Sequence, residues 1–133
     1  MTSVRVEAKI GQEKYYTEVK AGNNLLITDE PIDKGGGNKG FNPFEILATS
    51  SASCTAATLK MYIDHKGWDI KEIKVEVILE SNLPQSSAIF TRNIAFHDAD
   101  ISEDQKTRLF KIAESCPVHK VLQNPITINT SIH

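Results

Sequence analysis

The side chains best suited to covalent chemistry in this 133-residue chain are its two cysteines, Cys54 and Cys116. Two thiols can form a working pair. One thiolate attacks an oxidant and the other resolves the resulting sulfenic acid as a disulfide. They can equally be small buried hydrophobes, as free cysteines often are. A thiol of pKa about 8.5 is only about 3% thiolate at pH 7, so a reactive site must lower that value. A helix N-terminus contributes ~0.3–1 kcal/mol, less than one pKa unit. That helps Cys116, which precedes Pro117, and gives little to Cys54. A cation near Cys54 is therefore needed, and Arg92 is the inward-facing candidate. His119 is either a surface residue of a short turn or a local base for Cys116. Cys116-Pro117-Val118-His119 also offers a C-x-x-H spacing. A structural zinc needs four ligands, and Cys54, His65 and His97 show no paired spacing to complete the set, so zinc is not expected.

These residues must be held by regular elements. Asn42 is a good N-cap, Pro43 suits the first helical position, and Glu45 can reach back to the Asn42 N–H. The spacing predicts a helix from there to about Lys66, where Gly67 serves as a left-handed stop. No charge lies between Glu45 and Lys60. A helix uncharged all round is expected to be buried on most sides. Alternation predicts strands at Val4–Ile10, Tyr15–Val19, Ile73–Leu79 and Ala88–Phe96, a short one at Leu25–Ile27, and a final one at Ile126–Ile132. Arg92 shares its strand face with Phe90, Ile94 and Phe96. Either only its stem is buried there, the simpler expectation, or the guanidinium has an acidic partner inside. Ser102 to Gln105 reads as a capping box opening a helix whose apolar stripe, Leu109, Ile112, Ala113, ends at Cys116. Pro117 breaks that helix and starts a short turn to Gln123. The order β-β-β-α-β-β-α-β implies an α+β fold with largely antiparallel sheet in a single domain, residues 1–133.

Composition narrows the function class. Net charge is -2, which gives no reason to expect nucleic acid or an anionic membrane as partner. The uncharged run is too short and too rich in Ser and Thr to span a bilayer. Met1 to Arg5 carries no apolar core of a secretory signal, so a cytoplasmic location is expected, where a disulfide is usually transient and catalytic. The glycines at 35, 36, 37 and 40 do not sit in a phosphate-binding pattern and read as a flexible approach to the helix.

Gly40-Phe41-Asn42-Pro43-Phe44-Glu45-Ile46-Leu47, the small-residue helix reaching Cys54, and Cys116-Pro117-Val118-His119-Lys120-Val121-Leu122 together resemble the OsmC/Ohr family, osmotically inducible protein C and organic hydroperoxide resistance proteins. The resemblance covers nearly the whole chain. It implies an intertwined homodimer with the cysteine-bearing helices at its centre. It also implies a thiol peroxidase acting on organic hydroperoxides, with Cys54 peroxidatic and Cys116 resolving. Re-reduction by a dithiol such as a lipoylated protein, with no bound cofactor, is part of the same expectation. Two positions depart from the family pattern. Phe44 stands directly after Pro43, where the peroxidase branch has a carboxylate, and Glu45 follows it. The family's activating arginine comes from the N-terminal region, where this chain has only Arg5, on the solvent side of its strand. The chain therefore resembles a divergent branch. A non-catalytic protein holding an apolar ligand at the dimer interface and an oxidant-sensing thiol protein are the alternative readings.

Overall fold

The structure, a computed structural model, describes residues 3–97 and 99–133. The chain divides into two compact units, Met1–Leu47 and Ala48–His133. In the first, β1 (Glu7–Ile10), β2 (Thr17–Ala21) and β3 (Asn24–Thr28) form an antiparallel meander. Glu7 pairs with Lys20 and Ile10 with Thr17 on one side of β2; Thr17 pairs with Thr28 and Ala21 with Asn24 on the other.

The glycine-rich loop that follows is held from inside by Asp29. This carboxylate is only 2% exposed. It accepts backbone N–H groups from Tyr15 (3.2 Å), Glu30 (2.8 Å), Gly37 (3.2 Å) and Lys39 (3.1 Å). Two of the glycines are explained by close approach. A Cβ on Gly36 would stand 2.1 Å from the Glu30 carbonyl oxygen, and one on Gly40 2.3 Å from that of Ile27. The loop is thus a folded structure around a buried acid rather than the flexible approach that composition implies.

The helix α1 (Pro43–Lys66) begins and ends where expected. Asn42 and Glu45 close a reciprocal capping box, both bonds 2.8 Å, and Gly67 takes φ 68° at the other end. In the second unit, β4 (Glu72–Asn82) and β5 (Ser87–His97) pair antiparallel along their whole length, Glu72 opposite His97 and Val77 opposite Arg92. Their alternate residues face α1 and α2 (Glu103–Glu114). Leu59 and Ile63 of α1, Ile70, and Leu109 and Ala113 of α2 form the core, with Ile73, Ile94 and Phe96 packed on it. Ser102 and Gln105 cap α2 reciprocally, as their spacing predicts. A short helix, α3 (Pro117–Leu122), follows Cys116.

Two expectations need correction. The strand expected at Ile126–Ile132 does not form: residues 125–133 carry no regular structure. A strand exists only where its N–H and C=O groups find a ladder. Here Ile126, Ile128 and Ile132 are 61%, 83% and 94% exposed, so the alternating pattern lacks a surface to pack on. Nor is α1 buried on most sides within this chain. Its buried residues are Ser51, Thr55, Leu59 and Ile63, one stripe at four-residue spacing. Thr49, Ser53, Ala57 and Met61 are exposed. An offset of two residues is about 200° of helix, so this second stripe faces the opposite way. No helix among the described residues is long and apolar enough to cross a membrane.

Candidate active site

Cys54 lies near the middle of α1, one residue before the buried Thr55. Cys116 lies between α2 and α3, as the residue that caps α3, with Pro117 at the first helical position. Both cysteines are free, Cys54 partly exposed and Cys116 fully buried. The two thiols are near enough to influence each other's ionisation. Burial pushes the Cys54 thiol up, and the neighbouring Cys116 sulfur raises it further; the Val118 N–H and the Thr58 hydroxyl pull the other way without prevailing. Burial acts against ionisation of Cys116 as well. There it is outweighed by Cys54, the His119 N–H, the Thr55 hydroxyl and the Val118 N–H, and the Cys116 thiol is held below its ordinary range. Of the two, Cys116 is the thiol whose ionisation the site favours, with the His119 and Val118 N–H groups contributing.

Arg92 reaches this site from β5. Its side chain is 12% exposed and pairs with the carboxylate of Glu114. The guanidinium is thus covered beyond its stem and has an acidic partner, but Glu114 is 45% exposed, so the pair lies at the rim of the face rather than inside it. Arg92 Nη1 also donates to Thr55 Oγ1 at 2.9 Å and to the Ala113 carbonyl at 3.0 Å. Thr55 Oγ1 in turn donates to the Ser51 carbonyl at 2.7 Å. Glu114 has a second neighbour, His119 Nε2, at 3.6 Å. The fold thus brings Arg92 to Thr55, the neighbour of Cys54 in the chain, and both Arg92 and His119 to Glu114.

The other candidates are occupied in the first unit. Glu45 supplies the capping box of α1, and Arg5 pairs with Glu7 at 2.9 Å on the surface. Thr55 and Glu114 escaped the sequence reading. Thr55 is adjacent to Cys54 and four residues from Ser51, and Glu114 lies two before Cys116. That proximity was the available signal, but nothing local ties either residue to Arg92. No group of three or more His, Cys, Asp or Glu side chains among the described residues could hold a metal ion.

Two neighbouring thiols, one partly exposed on a long helix and one buried at the head of a short one, in an α+β frame, define a class of thiol-bearing protein. The comparisons narrow it. Residues 36–131 match the family model described as OsmC-like protein, and the chain belongs to that family. No curated protein sequence matches it. Among solved structures, a Psychrobacter arcticus protein described as an osmotic stress induced and detoxification response protein is similar at TM-score 0.76 and 27% identity. The match covers 91% of this chain and 88% of that one. An organic hydroperoxide resistance protein OsmC of Legionella pneumophila (TM-score 0.64, 19% identity, coverage 92% and 90%) has the same fold. So has the organic hydroperoxide resistance protein OhrB of Bacillus subtilis (TM-score 0.60, 19% identity, coverage 92% and 91%).

Proposed function

We propose that this chain is a thiol-dependent peroxidase that reduces organic hydroperoxides through a Cys54/Cys116 dithiol–disulfide cycle. The observation that carries the reading is a pair of free thiols that influence each other's ionisation, one partly exposed and one buried. Cys54, the partly exposed sulfur, passes its proton to Cys116 and attacks the terminal peroxide oxygen. The O–O bond breaks, Cys54 becomes a sulfenic acid, and the leaving alkoxide takes the proton from Cys116. Cys116, a thiolate again, attacks the Cys54 sulfur, and hydroxide leaves to become water. The product is a disulfide, which a dithiol reductant, in this reading a lipoylated protein, returns to two thiols. The names of the Legionella and Bacillus relatives support the substrate class. We place the reaction in a reducing cytoplasm, consistent with two unbridged cysteines.

The working unit in this reading is a homodimer. The uncharged, exposed stripe Thr49, Ser53, Ala57, Met61 on α1 and the exposed isoleucines after Asn124 are surfaces that a second copy would cover.

The second reading, a binder of small apolar ligands, is favoured by one feature. A cavity of about 760 Å³ is walled by Phe90, Ile94, Phe110 and Leu122 and bears Arg92 and His119, yet neither cysteine lines it. Rapid mixing of the reduced protein with an organic hydroperoxide separates the two. Loss of both thiols at a rate proportional to hydroperoxide supports the peroxidase. Intact thiols with saturable ligand binding support the alternative.

A further inference from the structure

We propose that the cavity lined by β5, α2 and α3 binds an uncharged amphiphile, an aliphatic or aromatic body ending in a hydroxyl, and that the Arg92–Glu114 pair selects against ionised heads. The inference rests on the cavity that favours the second reading and names its ligand class. It is independent of the dithiol cycle, because neither cysteine lines the cavity.

The strand period builds one wall. Phe90, Arg92 and Ile94 alternate along β5 and so share a face. Phe110 of α2 and Leu122 of α3 close the space from the helices. At about 760 Å³ the cavity has the size of a small-molecule site. Arg92, Glu114 and His119 are its charged and titratable lining. The guanidinium is already engaged. Its Nη1 donates to Thr55 Oγ1 at 2.9 Å and to the Ala113 carbonyl at 3.0 Å, and its Nη2 donates to Glu114. The Glu114 carboxylate balances its charge. A ligand carboxylate that displaced Glu114 would exchange one ion pair for another and still lose its own water, so it gains no net attraction. An ammonium head meets the same balance from the opposite sign.

A hydroxyl suits what remains. His119 Nε2 stands 3.6 Å from Glu114 Oε2, too far for a hydrogen bond between them. Nε2 faces a carboxylate, which favours the hydrogen on that nitrogen. One hydroxyl oxygen set against both groups accepts from Nε2 and donates to the carboxylate, because a hydroxyl carries both functions. Burial of the ligand body on the apolar wall then supplies affinity, and this bridge fixes its orientation.

The test is a calorimetric titration of the reduced protein at about pH 7.5 with octanol, octanoate, octylammonium and octyl methyl ether, which share a chain and differ in the head. Octanol should bind at least about tenfold more tightly than either ion. The ether is the more apolar molecule but lacks the hydrogen that Glu114 accepts, so it should also bind about tenfold more weakly than octanol. Glu114→Gln keeps an oxygen for Arg92 and removes the balancing charge. It should tighten octanoate about tenfold and leave octanol little changed. Leu122→Trp fills part of the cavity and should abolish octanol binding. The inference is overturned if octanol does not bind, if either ion or the ether binds the wild type as tightly as octanol, if Glu114→Gln leaves octanoate unmoved, or if Leu122→Trp binds octanol like the wild type. Should a variant fail to fold, the four ligands on the wild type decide. Hydroperoxide consumption is read separately. A protein that binds octanol but spares hydroperoxide loses the dithiol cycle and keeps this inference; one that consumes hydroperoxide without binding octanol does the reverse.

Discussion

Asp29 is the residue whose removal should be felt most sharply in the first unit. Four N–H groups converge on its carboxylate. Burial works against the charge, but these donors win, and the carboxyl is held below its usual range. A depressed folded-state pKa stabilises the fold above the unfolded value, and this contribution is lost as pH falls through the folded value. Asp29→Asn should therefore lower the urea midpoint at pH 7, because the amide presents only one acceptor oxygen to donors that now use two. The gap to wild type should narrow below about pH 4, where an ordinary aspartate becomes protonated. Urea titrations at both pH values read this. At the thiol pair the sign differs between partners. Cys116 is the group whose ionisation the site favours, so its alkylation in the folded protein should persist to lower pH than that of Cys54. Exposure should then limit its rate as much as ionisation does.

At the scale of elements, the caps were written most plainly in the chain. Asn42-Pro43-Phe44-Glu45 and Ser102 to Gln105 are local signals, decided within one turn, and both boxes form. Asn42→Ala should cost ~1 kcal/mol, the usual worth of such a cap, read as a drop in thermal midpoint. The long pair β4–β5 was equally legible, since alternation over eleven residues leaves one face to bury. What sequence could not show was partnership across elements. Arg92 looked like an isolated cation on an apolar strand face, and its acid, Glu114, lies at the end of α2, 22 residues away. The final strand failed for the converse reason: Ile126 to Ile132 have the right period, but alternation says nothing about whether a neighbouring strand is present. Gly40→Ala should destabilise the loop, because a Cβ there meets the Ile27 backbone, which cannot give way as a flexible side chain could. A lower melting temperature with an unchanged thiol titration would be the expected result.

At the scale of the whole molecule, the distribution of uncharged surface bears on assembly. A helix face exposed to water normally carries charge, yet Thr49, Ser53, Ala57 and Met61 offer none. The proposed homodimer should give twice the 14.7 kDa chain mass by light scattering at micromolar concentration. A Ser53→Arg substitution, placing charge on that stripe, should shift the mass toward one chain. The family and its α+β frame could be read from two short motifs far apart in the chain. The pairing of their cysteines required the fold, because α2, β4 and β5 lie between them and no local pattern sets that distance.

Intact-mass spectrometry after one equivalent of organic hydroperoxide tests the dithiol cycle most directly. The wild type should lose two hydrogens as Cys54 and Cys116 close a disulfide. Cys116→Ser should gain one oxygen, a sulfenic acid with no thiol to resolve it, and Cys54→Ser should keep its mass. An unchanged wild-type mass with both thiols still titratable, or an oxygen gained by Cys54→Ser at the wild-type rate, would contradict the cycle.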